Sequence, residues 1–362
     1  MLSKPEENLI KIYERSFREH WSLEAVTDYG TSNTLTYAQL AENVAKLHIL
    51  FEQAGIKEND KVAVMGKNNA NWVTTFLATV TYGAIIVPIL QDFKANDAIH
   101  IINHSESKLL FITDLIWENI DPEQVPDLSA VFSLNTMDMI ISRLPMEQAV
   151  DKMTIEELFA EKYPHGFGKE DVAYVDRSNA ELASINYTSG TTGFSKGVMT
   201  PANALAGNIV FGLQSKLVFP GCRHVAFLPL AHAYGCAFDF LACLAAGGHT
   251  YLIGRTPSPK ILLEKAIATQ KIIITECVPD TSAKKIHIIS ARITKGDNGQ
   301  ELNIEPKDSP QPTSKTLLDG RNVIVEVDAV DEDAAVVLGK LSAQDIDGRR
   351  FPCAVDTEKG KQ

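Results

Sequence analysis

From Asn71 to Leu90 the chain runs for twenty positions without a charged residue. A run of that length must be buried, either in lipid or inside a folded domain. Thr74, Thr75, Thr79 and Thr81 interrupt its apolar character, and Gly83 and Pro88 would break a single helix. The pattern therefore predicts a buried helix over about 70–81, ended near Gly83, followed by a strand over 84–89. The flanking segments follow the same alternation. Thr36-Tyr37 opens a helix with Leu40, Val44, Leu47 and Leu50 on its apolar face, Gly55 stops it, and 61–65 reads as a strand. A helix over 100–105 and a strand over 108–113 come next. Strand and helix taken in turn argue for an α/β fold of stacked, mostly parallel sheets covered by helices.

A second feature concerns chemistry. Ala183 to Tyr187 reads as a short strand that enters the run Thr188-Ser189-Gly190-Thr191-Thr192-Gly193-Phe194-Ser195-Lys196-Gly197. Glycines allow backbone N–H groups to converge on an anion, hydroxyls add donors, and Lys196 adds a compact positive charge. The combination predicts a phosphate cradle. It is not the Walker A pattern, in which Lys follows Gly and precedes Ser or Thr. Thr200-Pro201 reads as an N-cap with Pro at the first helical position, so a helix is expected to leave the loop. Gly193 to Gly197 also fits G-x-S-x-G, the nucleophile elbow of serine hydrolases. That elbow requires a strand to turn sharply into a helix at the serine.

The string Tyr187 to Val198 resembles the signature loop of the adenylate-forming (AMP-binding) superfamily, Y-T-S-G-T-T-G-x-P-K-G-V, with Ser195 where the family usually has Pro. Thr36-Tyr37, Asp60 to Ala63, Asn68 with Trp72, and Gly83-Ala84 with Val87-Pro88 are similar to the first subdomain of acyl-CoA synthetases. Phe227 to His232 and Arg255 to Lys260 lean towards the long-chain fatty acyl-CoA type. The resemblance covers about 20–279. It implies ATP-dependent activation of a carboxylic acid through an acyl-adenylate, then thioester formation with CoA, normally with Mg²⁺. Thr188, Ser189, Gly190, Thr191, Thr192, Gly193 and Lys196 would hold the phosphates, with Lys196, Thr192 and His232 in catalytic roles.

Pro229-Leu230-Ala231-His232-Ala233-Tyr234-Gly235 follows an expected strand over 225–230, where a loop should face the carboxyl edge of a sheet. It resembles the family's P-x-x-H-x-[FY]-G motif, which implies that His232, Tyr234 and Gly235 border the acyl pocket. Read from these residues alone, a hydrogen-bonded structural His beside a packing Tyr is the favoured reading; the phosphate loop turns the balance towards a functional one. Beyond the motif, 237–246 reads as a helix closed by Gly247-Gly248 and 249–253 as a strand. A helix over 258–269 and a strand over 271–275 follow.

These features divide the chain into a first α/β subdomain over 1–181, the start of a second over 182–279, and a divergent tail over 280–362. The tail holds 15 acidic and 12 basic residues with Phe351 as its only aromatic. It is expected to be β-rich or partly disordered, with strand-like runs at 286–289 and 322–327. Complete family members continue with Y-G-x-T-E, T-G-D and a terminal lysine motif; Lys295-Gly296-Asp297 and Glu358 to Lys361 match none of these. A catalytically incomplete remnant that binds only ATP or an acyl ligand is therefore the alternative to the ligase.

A net charge of −12 leaves no basic field for nucleic acid. The five cysteines include no C-x-x-C pair, which suggests reduced thiols in a cytoplasmic protein. Cys222-x-His224 and His232-x-x-x-Cys236 fit no common zinc spacing, so no metal ligands are assigned. A fatty acid substrate leaves room for peripheral contact with a membrane.

Overall fold

The computed structural model describes residues 7–31, 33–145, 148, 151–188 and 195–254, together with backbone strands between 274 and 343. The chain divides into two units, Met1–Cys222 with Pro229–Gly254, and Arg223–Leu228 with Arg255–Gln362.

In the first unit the order is α1 (Leu9–Glu19), β1 (Glu24–Asp28), β2 (Thr34–Thr36), α2 (Tyr37–Gln53), β3 (Lys61–Met65), α3 (Ala70–Tyr82), β4 (Ile85–Ile89), α4 (Ala95–His104) and β5 (Ser107–Ile112). There follow α5 (Asp114–Trp117), β6 (Ala130–Ser133), β7 (Met139–Ser142), α6 (Lys152–Lys162), β8 (Leu182–Thr188), β9 (Lys196–Pro201) and α7 (Ala202–Gln214). The second unit contributes β10 (Arg223–Ala226), and the first resumes with β11 (His249–Leu252).

Seven strands form one sheet in the order β7-β6-β5-β3-β4-β8-β9. The five inner strands are parallel, and β7 and β9 close the edges antiparallel. Strands β3 to β6 are buried along nearly their whole length, as parallel strands covered on both faces must be. Within the same unit β1 pairs in parallel with β11 and antiparallel with β2.

The uncharged stretch resolves as the sequence predicts. Asn69 caps α3 by accepting from the Trp72 N–H at 2.7 Å. Gly83 ends the helix in the left-handed region at φ 91°, where a Cβ would be strained. Helix α3 packs against α2, β1, β3 and β4, so it has no solvent face to carry charge. Its four threonines are all buried, and their hydroxyls donate to the carbonyls of Ala70, Asn71, Thr75 and Leu77, each four residues back. Among the described residues, no helix is long and apolar enough to cross a membrane.

Helix α2 starts at the expected place, with Thr36 and Gln39 forming a reciprocal capping box. Three boundaries differ from the sequence reading. Helix α4 starts at Ala95, because its first turn, Ala95-Asn96-Asp97, is polar and hides the apolar period. The strand expected over 225–230 is only Arg223–Ala226. The helix expected over 237–246 starts at Gly235 as a π-helix that runs to Ala242. The helix expected over 258–269 lies outside the described residues. In the second unit β12 (Ile274–Asp280) and β13 (Lys285–Ala291) form an antiparallel pair. There β14 (Thr316–Leu318), β15 (Val323–Val330) and β16 (Ala335–Ala343) form an antiparallel sheet. The run expected over 286–289 falls within β13, and 323–327 of the run expected over 322–327 falls within β15.

Candidate functional site

Strand β8 carries the chain to the carboxyl edge of the parallel sheet, the edge at which open α/β sheets bind ligands. It meets β4 at a single rung, Ile86↔Ser184. Pro88, two residues further along β4, has no N–H with which to donate to another. On its other side β8 pairs with β9 along most of its length, from Leu182↔Pro201 to Thr188↔Lys196.

That hairpin corrects two expectations. The residues after the loop form β9, and the helix begins only at Ala202, with Pro201 itself in the N-cap position. Thr200 pairs with Ser184 as a strand residue and does not cap the helix. Lys196 to Thr200 lacks the alternation that marks a strand, because β9 is a half-exposed edge whose partner shields only some of its residues. The hairpin also removes the elbow geometry, since Ser195 is followed by a strand and not by a helix.

Of the expected phosphate ligands, Thr188 and Lys196 face each other on the last rung of the hairpin, both exposed. Ser189, Gly190, Thr191, Thr192 and Gly193 lie outside the described residues. The rung before joins Tyr187 to Gly197. A Cβ added at Gly197 would stand 3.0 Å from Ile185 Cγ2 and 3.2 Å from Tyr187 Cζ, so a bare backbone is needed to lie over that ring. Tyr187 is buried, and burial raises its phenol above the usual tyrosine range.

The second motif forms one compact turn. The His232 N–H donates to Pro229 O at 2.9 Å, and the Cys236 N–H donates to His232 O at 2.9 Å. His232 Nδ1 accepts from the Tyr234 N–H at a long 3.4 Å. The imidazole is exposed, whereas Gly235 and Cys236 are buried. Burial pushes the Cys236 thiol well up, away from the thiolate that a metal or nucleophilic role needs. Tyr234 stacks obliquely on Phe238 at 4.9 Å, and Phe238 meets Phe211 of α7 edge-on at 6.2 Å.

Asn68 ties this turn to the main sheet. It lies three residues past the end of β3, is buried, and its Oδ1 accepts from the Leu230 N–H at 2.9 Å. A Cβ at Gly254 would come within 3.0 Å of Asn68 O. The structure therefore joins the His232 turn to the carboxyl end of β3 and joins Lys196 to the carboxyl end of β8. Asn68 and Tyr187 escaped the sequence-based site list, although both fall inside the resembling segments. Asn68 follows its strand by three residues and its partner Leu230 lies far along the chain, so no local pattern marks it.

The family model for AMP-binding enzyme matches residues 13–298, and the chain belongs to that family. It is 26% identical over 234 residues to fatty acyl-CoA synthetase A of Dictyostelium discoideum, covering 63% of this chain and 34% of the relative. It is 25% identical over 221 residues to long chain acyl-CoA synthetase 5 of Arabidopsis thaliana, covering 56% of this chain and 31% of the relative. Among solved structures, a long-chain-fatty-acid-CoA ligase from Archaeoglobus fulgidus superposes with a TM-score of 0.59 at 21% identity, covering 74% of this chain and 50% of that one. The ATP-bound MatB of Rhodopseudomonas palustris gives 0.57 at 20% identity, covering 72% and 48%. The chain spans at most about half the length of these relatives.

Proposed function

We propose that this chain uses ATP to activate a carboxylic acid, with a fatty acid as the favoured class, and passes the acyl group to the thiol of CoA. The observation that carries the proposal is the terminal rung of the β8–β9 hairpin, which pairs Lys196 with Thr188 at the sheet's carboxyl edge.

A carboxylate resists nucleophiles because it is negatively charged and would have to expel oxide. In the proposed first step a carboxylate oxygen bonds to the α-phosphorus of ATP. The bond from that phosphorus to the bridging oxygen breaks, and pyrophosphate leaves. Lys196 neutralises charge gathering on the departing β- and γ-phosphates, while Thr188 and the residues 189–193 donate hydrogen bonds to them. A hydrogen bond to a charged group contributes about 1.5–3 kcal/mol, so a few suffice to align ATP for attack. In the second step the CoA thiol gives up its proton to solvent and its sulfur bonds to the acyl carbon. The bond from that carbon to the phosphate oxygen breaks, so that AMP departs with the bonding pair. His232 and Tyr234 would line the acyl pocket, with the Phe238–Phe211 aromatic row continuing its apolar wall. The described residues at the hairpin root offer hydroxyls and an ammonium, which suit phosphate oxygens but give a divalent cation no carboxylate.

The second reading, a remnant that binds ATP or an acyl ligand without turning it over, is favoured by residues 280–362, which follow the matched motifs and carry none of the family's adenine- and ribose-contacting patterns. Fatty-acid-dependent exchange of labelled pyrophosphate into ATP separates the two. Exchange that falls by two or more orders of magnitude in Lys196→Ala supports the ligase. ATP binding with no exchange above the Lys196→Ala background leaves the remnant.

A further inference from the structure

We infer that His104 is a positioning residue for Lys196 that acts through Tyr187; this rests on the reading of Lys196 as a phosphate-binding residue. The phenol Oη of Tyr187 lies 2.7 Å from Nδ1 of His104, the last residue of α4 and 83 residues away in sequence. Burial keeps the phenol protonated, and a hydrogen bond joins it to Nδ1, with the donor set by the His104 tautomer. The rings meet edge to face, 5.8 Å apart at 87°. On its other side the His104 ring lies 5.5 Å from that of His100, one helical turn back.

Tyr187 is therefore clamped from two directions. His104 fixes its hydroxyl, and the bare backbone of Gly197 covers its ring. The clamp matters because β9 is an edge strand, with β8 as its one strand partner among the described residues. Its register depends on that ladder and on side chains that lock it. Thr188↔Lys196 is the very next rung after Tyr187↔Gly197, about 3.4 Å along the strand. A tilt of the Tyr187 ring is thus passed directly to the backbone that carries Lys196. Among the described residues His104 bonds to neither Thr188 nor Lys196, so its contribution reaches them through the Tyr187 rung.

ATP binding by the full chain, measured by calorimetry without acyl substrate, tests the inference together with a double-mutant cycle. Tyr187→Phe and His104→Ala should each weaken ATP binding about five-fold, the worth of one buried hydrogen bond. The double variant should be no weaker than either single one, and His104→Asn, whose amide can reach the Nδ1 position, should recover most of the loss. Where turnover is measurable, the KM for ATP should rise while that for the acid stays unchanged. Binding that is unaltered in both single variants, or losses that simply add, would overturn the role of His104. So would equal losses in ATP and acid affinity, which mark a general structural defect. The Lys196→Ala control keeps the two levels apart: if it binds ATP like the wild type, the phosphate-binding reading falls and takes this inference with it.

Discussion

Gly83 meets three demands at once. It ends α3 at φ 91°, its carbonyl accepts from the buried Arg177 guanidinium, and its Cα faces Glu58 and Val175. An added Cβ would find ordinary contacts of 3.4 Å to each of those two side chains, so the obstacle to alanine is the backbone conformation and not space. Gly83→Ala should lower stability by about 1–2 kcal/mol, read as a shift in the urea midpoint. Gly207 offers the contrast, since it lies within α7 with nothing within 4 Å of a new Cβ. There alanine should raise stability by about 0.5–1 kcal/mol. At this scale the sequence reveals roles that act through neighbours along the chain, as with Thr36 and Gln39 at the start of α2. It conceals Asn68, His104 and Tyr187, whose partners come from distant elements and leave no local period.

Helix α2 is fastened to α3 by His48. Its Nε2 lies 3.0 Å from Ala78 O and 3.1 Å from Thr81 Oγ1, and Tyr82 and Tyr174 enclose the ring edge-on. Burial, the largest influence on it, lowers its pKa to about 4. The unfolded chain binds this proton near pH 6.5. The stabilisation is therefore complete above pH 6.5 and is lost as pH falls towards 4. Part of the side chain reaches the surface, so the loss is discounted to on the order of 2 kcal/mol. Urea midpoints taken between pH 7 and pH 4 should fall steeply for the wild type and less so for His48→Gln, which can keep a donor towards Ala78 O. Elements with strong apolar periods, such as α2, α3 and β3 to β5, were legible in advance. Strand β9 was not, because an exposed edge strand selects residues by pairing and by the loop it serves. The π-helical turns after Tyr234 were equally hidden, since the sequence reports apolar density there and not the hydrogen-bond step.

For the molecule as a whole, a net charge of −12 means that ATP, itself anionic, gains nothing from the overall field. Under the proposed function, affinity would come from local donors at the hairpin root. Saturating ATP should then raise the thermal midpoint of the wild-type chain, by the equivalent of about 2.7 kcal/mol at a hundred times the dissociation constant. Lys196→Ala should respond far less, in differential scanning fluorimetry at fixed ionic strength. The fold class and the family were both open to the sequence, because they rest on repeated alternation and on one unbroken motif. Helix α3, near the centre of this architecture, carries a further consequence. Its threonine hydroxyls are each answered by its own backbone, so the polar ties of α3 to the elements packed on it are few. They are His48 of α2 against Ala78 O and Thr81 Oγ1, and Asp28 of β1, which accepts from the Ala70 N–H. Among the described residues, strands β3 and β4 meet the helix by shape alone and can be exchanged for others of equal shape. A change at His48 or Asp28, by contrast, leaves a polar group of α3 in need of a new partner.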